Sequence, residues 1–436
     1  MRPNLAQALS SAFLAGEWQR ADLVARGRIV LERRPLWLLA LVRDVLATYR
    51  DPPADRPSEL AEVLRSLPAS RRAGRTRPRA RPIAPTRMVR NPFGLPRLDG
   101  ITDLAALLEL EVPALLWLAD TRGLERSAGD QAIRHYRVSH RLTPSGGIRV
   151  LEAPKPRLKH LQRRLIAELL HLIPPHEAAH GFRPGRSVGS YAAPHAGKHI
   201  VLRLDLEAFF ASVGAARTYG VLRSAGYPEP VAYSLTGLAT TSLSRAAWSA
   251  VPRPADGSRL EAHWRLGRRL ALPHLPQGAP TSPVLANLAA YRLDVRLSAL
   301  ARSWGGHYTR YADDLALSGG RSWGRRSSRL LDAIGDVVAE EGFCLNHRKT
   351  AVLPSGGRQL LGGLVVNERP HVGRREVDAL RALLHNCVVH GPASQDRVGQ
   401  VDWRAHLEGR VGWVAQHDPG RGRRLAALLS RIDWTG

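Results

Sequence analysis

The chain has 436 residues and 44% hydrophobic content, enough to bury a full core and to divide into two or three domains. Its formal net charge of +26 and isoelectric point near 11.3 go far beyond what solubility requires, and imply a polyanionic partner, nucleic acid ahead of an anionic membrane surface. No apolar run is long enough to span a bilayer and the N-terminus lacks a signal-peptide layout, so a cytoplasmic protein with no membrane partner is expected.

Residues 1–68 read as a helical region, because Asn4-Leu5-Ala6-Gln7-Ala8-Leu9 and residues 37–46 space apolar side chains three and four apart. Residues 69–97 form a basic stretch whose central part, 71–92, is Arg, Pro and small residues. It holds too little apolar surface to fold and is expected to be a flexible linker, either tracking phosphates or simply solvated. Helical periodicity resumes at Asp103, expected to cap a first turn. Ser145-Gly146-Gly147-Ile148-Arg149-Val150-Leu151 reads as a turn and a strand, and Pro154-Lys155-Pro156-Arg157-Leu158-Lys159 leads into a helix from His160 to about Ile173. In residues 180–187, Gly, Pro and Gly surround Arg183 and Arg186, a rigid loop that can bring guanidinium groups to a phosphate.

Residues 215–250 look helical and residues 259–275 suggest a basic hairpin. Gln277 and Gly278 then sit in a loop with Pro on both sides, ahead of a helix near Ser282. An amphipathic helix is expected at 327–341, a strand entered through Leu345-Asn346-His347-Arg348-Lys349-Thr350, a hairpin at 359–367, and helices from Arg374 onward with Trp403 and Trp413 as core anchors. Cys344 and Cys387 are the only cysteines, too few for a zinc site, and are expected to be buried thiols.

Two stretches carry the chemistry. In Tyr308-Thr309-Arg310-Tyr311-Ala312-Asp313-Asp314-Leu315-Ala316-Leu317-Ser318, large and small residues alternate around two adjacent carboxylates, which reads as a hairpin with acids at its tip. In Ile200-Val201-Leu202-Arg203-Leu204-Asp205-Leu206-Glu207-Ala208-Phe209-Phe210, an Asp interrupts an apolar strand where an unpaired charge is expensive. A divalent cation removes that cost. One carboxylate on a strand and two on a hairpin beside it can hold two Mg²⁺ ions about 3.5–4 Å apart for in-line phosphoryl transfer.

The Tyr-Ala-Asp-Asp hairpin, the Asp-x-x-x-Phe-Phe strand end and Leu275-Pro276-Gln277-Gly278-Ala279-Pro280-Thr281-Ser282-Pro283 resemble the palm motifs of reverse transcriptases. More narrowly, His180-Gly181-Phe182-Arg183-Pro184-Gly185-Arg186-Ser187 and Leu364-Val365-Val366-Asn367 resemble the bacterial retron and group II intron branch. The resemblance implies an α+β right-hand polymerase fold: fingers and a ferredoxin-like palm over 98–366, a helical thumb over 367–436, and an N-terminal helical extension. It implies two Mg²⁺ on Asp205, Asp313 and Asp314, with Lys349 either protonating the pyrophosphate leaving group or contacting a phosphate. Arg149, Lys155 and Lys159 would meet the triphosphate, Phe210 the sugar, and Gln277 and Gly278 the base and sugar. Arg183, Arg186, His195, Tyr311, Arg374 and Arg375 would meet nucleic acid. Two departures stand out: Tyr191 occupies the place of a retron Asn, and Leu361-Gly362-Gly363 replaces Val-Thr-Gly.

The function so implied is a retron-type RNA-directed DNA polymerase, copying part of a companion non-coding RNA into single-stranded satellite DNA, with antiphage defence as a purpose. Its partners would be that structured RNA as template and primer, the DNA product, deoxynucleotide triphosphates and an effector protein. The alternatives are a group II intron-like or template-independent enzyme, and a non-catalytic RNA-binding scaffold of polymerase fold.

Overall fold

The computed structural model describes residues 1–32, 35–125, 133–143, 146–397 and 399–434, so Ser145 of the expected turn lies outside the described residues. The chain forms two compact units, residues 1–174 with 210–289, and residues 175–209 with 290–436.

The first unit opens with the helices Pro3–Leu14, Arg20–Leu31, Leu36–Thr48 and Pro57–Ser66. Their inward residues, Leu5, Leu9, Phe13, Leu23, Leu38 and Leu41 among them, build a core of their own. The Arg- and Pro-rich stretch that follows has no regular element beyond the 3-10 turn Pro68–Ala73. It is nevertheless no free tether. Met88 and Leu95 are buried, Arg79 N donates to Val30 O at 2.8 Å, and Arg87 N donates to Ala54 O at 3.2 Å. A chain too polar to form its own core is here held on a neighbouring one.

Asp103 lies within the helix Ile101–Leu107 rather than ahead of it, and its Oδ2 accepts from Asp99 N (2.8 Å) and Gly100 N (3.0 Å). Strands β1 (Tyr136–Leu142) and β2 (Ile148–Pro154) pair antiparallel. The next helix, Pro156–Glu168, begins earlier than expected, since proline in a first turn gives up no needed N–H. Where a basic hairpin is expected at 259–275, the structure has the helix Leu260–Leu270. Its run of arginines hides His263, Leu266 and Leu270, spaced three and four apart; Leu270 and Leu266 pack with Val150, Leu243 and Trp248.

The second unit is built on an antiparallel sheet of β3 (Ile200–Asp205), β4 (His307–Tyr311), β5 (Asp314–Gly319) and β6 (Ala351–Pro354), in spatial order β4-β5-β3-β6. That is the ferredoxin-like order. The helices Tyr291–Ser303 and Arg321–Glu340 pack against the sheet. Val201 and Ala316, which share a sheet face, join a second core with Tyr191, Leu361, Leu364 and the helices Arg374–His390, Trp403–His417 and Pro419–Leu429. β7 (Leu360–Leu361) and β8 (Leu364–Val365) form the expected hairpin, continued by β9 (His371–Val372). Gly362 and Gly363 take φ of +54° and +87° in its two-residue loop, a turn that a Val-Thr-Gly sequence would make only with strain. Cys387 is buried but Cys344 is exposed, against expectation: in the segment after the helix Arg321–Glu340, Phe343 takes the inward position and Cys344 the outward one. Among the described residues, no helix is long and apolar enough to cross a membrane.

Candidate active site

The site grows from the β4–β5 hairpin. Tyr311 pairs with Asp314, leaving Ala312 and Asp313 as a two-residue loop. Ala312 takes φ of +56°, a left-handed conformation that costs a residue with a Cβ about 1–3 kcal/mol. The surroundings over-determine it. His180 N donates to Arg310 O at 2.8 Å and Arg310 N to Ala178 O at 2.7 Å, so the 178–181 segment runs beside β4. A Cβ on Gly181 would stand 2.8 Å from Ala312 N, so only glycine admits this approach. Below the loop, the fully buried Arg310 grips the equally buried Asp294 with Nε (2.8 Å) and Nη2 (2.7 Å), while its Nη1 donates to Ala312 O at 3.1 Å. Tyr308 Oη also donates to Asp294, at 2.8 Å.

Register does the rest. Asp205, the last residue of β3, lies directly opposite Asp314 on β5, and side chains so placed share a face with Cβ atoms about 4.5–5.5 Å apart. Asp205 is buried, and its carboxylate accepts from Lys349 Nζ at 2.7 Å and Asn346 Nδ2 at 3.1 Å. Asn346 N also donates to Asp205 O at 2.7 Å, which locks the turn carrying Lys349 to the strand end. Burial, then Asp313 and Asp205, push the Asp314 carboxyl up to about 6. Against partial desolvation, the hydrogen bond to Asp205 and the neighbouring carboxylates raise the Lys349 ammonium. Negative charge is in excess here, and the ammonium occupies the place where a cation is wanted.

The donor set fits a hard divalent ion, since facing carboxylates supply the oxygen ligands that such metals prefer. Among the described residues, no three His, Cys, Asp or Glu side chains are gathered as a finished cage.

The structure corrects one expected contact. His195 is fully buried, with Nδ1 2.7 Å from Ser318 Oγ and Nε2 2.7 Å from Thr309 Oγ1. Thr309 Oγ1 donates to Tyr191 O (2.9 Å), so it accepts from Nε2–H, and Ser318 donates to Nδ1. Burial holds this imidazole neutral, down to about 3. It cross-links β4 and β5 and reaches no nucleic acid. Tyr191, in place of the retron Asn, is likewise buried, against His195 and Tyr311.

Tyr311 is half-buried between Phe182 and Tyr191. Arg183 donates to His176 O at 3.4 Å, Arg186 and Arg375 are exposed, and Arg374 is exposed with Asp378 at 3.5 Å. In the first unit, Arg149 and Lys159 are exposed and Lys155 half-buried at the start of the helix Pro156–Glu168. Gln277 O accepts from Glu152 N at 2.8 Å, and Gly278, at φ +128°, would bring a Cβ to 3.2 Å from Glu152 O. The buried Glu152 carboxylate meets His274 Nε2 at 2.7 Å. Phe210 is half-buried, whereas Phe209 is buried against Phe343. Arg310, Asp294, Asn346, Glu152 and His274 were not singled out by sequence, although Arg310 stood in the marked hairpin stretch and Asn346, three residues before Lys349, in the stretch leading to that lysine.

A family model described as reverse transcriptase (RNA-dependent DNA polymerase) matches residues 141–365. The chain is 41% identical over 335 residues to the retron Mx65 reverse transcriptase of Myxococcus xanthus, covering 77% of this chain and 72% of that protein. It is 36% identical over 358 residues to the retron Mx162 reverse transcriptase of the same organism, with 78% and 69% covered. To the retron Ec86 reverse transcriptase of Escherichia coli it is 28% identical over 342 residues, with 78% and 92% covered. Among solved structures, telomerase from Candida albicans in complex with a fragment of telomeric RNA matches with a TM-score of 0.33 and 11% identity, covering 67% of this chain and 56% of that one.

Proposed function

The chain belongs to the bacterial retron-type reverse transcriptases, has their α+β right-hand polymerase fold and is an RNA-directed DNA polymerase; from that premise we propose how its residues divide the work. As a member of this family it acts on nucleic acid and depends on a divalent metal. Asp205, Asp313 and Asp314 would hold two Mg²⁺ ions, and the observation that carries this is the direct opposition of Asp205 and Asp314 on adjacent strands. When bound, such ions lower the pKa of the primer hydroxyl and neutralise charge on the leaving pyrophosphate.

The chain's own residues do the remaining work. Lys349 would leave Asp205 for the departing pyrophosphate and give it a proton, work that an ammonium can do and a guanidinium cannot. Arg149, Lys155 and Lys159 would hold the triphosphate, with Gln277 and Gly278 at base and sugar. Phe210 would exclude a 2′-hydroxyl. Arg183, Arg186, Tyr311, Arg374 and Arg375 would contact primer and template. In this reading 98–366 are fingers and palm, 367–436 the thumb, and 1–68 with the 69–97 stretch an extension of the polymerase. The cytoplasmic product would be satellite DNA copied from a companion structured RNA, serving antiphage defence with an effector protein.

Purified protein with Mg²⁺, deoxynucleotides and a primed RNA template tests the core of this. Wild type should extend the primer with template-directed sequence, and Asp313→Asn should lose extension while still binding RNA. Extension retained in Asp313→Asn removes the carboxylate assignment; product unrelated to the template selects a template-independent enzyme. Co-expression with the few hundred nucleotides upstream of the gene should yield a short single-stranded DNA and fewer phage plaques.

A further inference from the structure

From residue 63 to residue 98 the chain contains ten arginines and no acidic residue. The division of work proposed above gives these arginines no ligand. Its backbone is pinned: Arg79 N to Val30 O, Arg87 N to Ala54 O, and Met88 N to Asp99 Oδ1 at 2.8 Å. Gly226 is pressed so close that a Cβ there would stand 2.1 Å from Arg90 O. Asn91 closes a turn by donating to Leu95 O (2.8 Å) and accepting from Leu95 N (2.7 Å).

Between these anchors, exposure alternates residue by residue from 77 to 89. Pro78, Ala80, Pro82, Ala84, Thr86 and Met88 turn toward the protein; Arg77, Arg79, Arg81, Ile83, Arg87 and Val89 turn outward. Period two is the signature of an extended chain. Among the described residues between 71 and 92, Arg79 is the one arginine whose guanidinium has a carboxylate within reach, Glu32 at 3.7 Å. Ile83 is 92% exposed and Val89 55%, apolar side chains standing among unpaired guanidinium groups.

We propose that residues 71–90 are a second nucleic-acid site, a track for single-stranded RNA or DNA laid along the first unit and built from none of the catalytic residues. Outward residues on an extended arm repeat at roughly 6.6 Å, about twice the ~3.4 Å rise per nucleotide of a stacked strand. Guanidinium groups at that interval match phosphates of a stretched, unstacked strand better than those of a duplex. Bases splayed from such a strand can lie on guanidinium planes and apolar side chains. Because the arm is already extended and anchored, little of its own freedom is lost on binding.

The experiment measures binding by fluorescence anisotropy between 50 and 200 mM salt, with a labelled 20-nucleotide oligo(U), the matching oligo(dT) and a 20-base-pair duplex. The test variant is Arg75→Gln/Arg77→Gln/Arg81→Gln/Arg87→Gln in the full chain, sparing Arg79 and its ion pair. The control removes equal charge from the exposed Arg321, Arg325, Arg326 and Arg329. Each lost phosphate contact flattens the log–log salt dependence by about 0.7 for single strands. Four contacts therefore make the arm variant's affinity roughly fifty-fold less sensitive to this fourfold change in salt, while the control keeps the wild-type slope. Relative loss on oligo(U) and oligo(dT) shows whether template or product is held. An unchanged slope, an equal loss in the control, a larger loss on the duplex, or displacement of the oligonucleotide by poly-glutamate at equal charge would each overturn the proposal. Asp313→Asn should bind as wild type, which keeps failure of this site distinguishable from failure of the catalytic assignment.

Discussion

Asp294→Asn is expected to destabilise the second unit far more than its size suggests. The carboxylate accepts two hydrogen bonds from Arg310 and one from Tyr308, and both charged partners are fully buried. The substitution keeps the volume and removes the charge, leaving a guanidinium in the interior without its counter-ion. Breaking one partner of a buried pair costs about 3–5 kcal/mol, a third or more of the ~5–15 kcal/mol that holds a domain together. In urea unfolding followed by tryptophan fluorescence, the midpoint should fall with unchanged slope. At about 2–4 °C per kcal/mol, melting should drop by roughly 6–20 °C. Arg310→Met/Asp294→Leu removes both charges at similar volume and should lose less than either single change. Since Arg310 Nη1 also holds the Ala312 carbonyl, primer extension by Arg310→Met at a temperature where it stays folded should fall about ten- to hundredfold, one charged hydrogen bond. A single variant losing under ~1 kcal/mol, or a double variant equal to the sum of the singles, would refute the reasoning.

Three further outcomes follow from the site. Ala312→Gly relieves the left-handed φ of +56° but adds freedom to the unfolded chain, so stability should rise by no more than ~1 kcal/mol, while extension slows because the loop is less fixed; a clear loss of stability would show that no strain is stored there. Lys349→Arg keeps the cation but cannot release a proton at neutral pH, so kcat should fall about 10²–10⁴-fold with the KM for nucleotide little changed; full kcat would leave only a phosphate contact. Desolvation opposes charge on His274, yet its hydrogen bond and proximity to Glu152 leave the imidazole raised above 6.5. The stability this pair contributes is therefore complete below pH 6.5 and is lost as pH rises through the raised value. Urea midpoints of wild type should decline over that range and those of His274→Gln should stay flatter; parallel curves would remove the pair from the account.

Residues whose chemistry is written in their neighbours were legible in the sequence. The acids at 205, 313 and 314 announce themselves because a charge in an apolar strand and two like charges at a turn both need an explanation, and β-periodicity alone places the turn between Tyr311 and Asp314. Residues whose partners lie far along the chain were not legible. Arg310 looks like any polar residue of a hairpin, and its carboxylate is on a helix sixteen residues earlier. His195 resembles a ligand contact by motif, yet Ser318 and Thr309 consume both ring nitrogens. The 259–275 segment misled for the opposite reason, since arginines filled the exposed face of a real helix and masked its period. The arm at 71–92 sits between these cases. Composition shows that it cannot make a core, and only the alternation of its buried and exposed residues shows that it borrows one. Its unpaired arginines then gain a physical reason for being there. Like charges fixed side by side on an extended backbone repel one another, so holding them in place is an expense that a bound phosphate chain would remove.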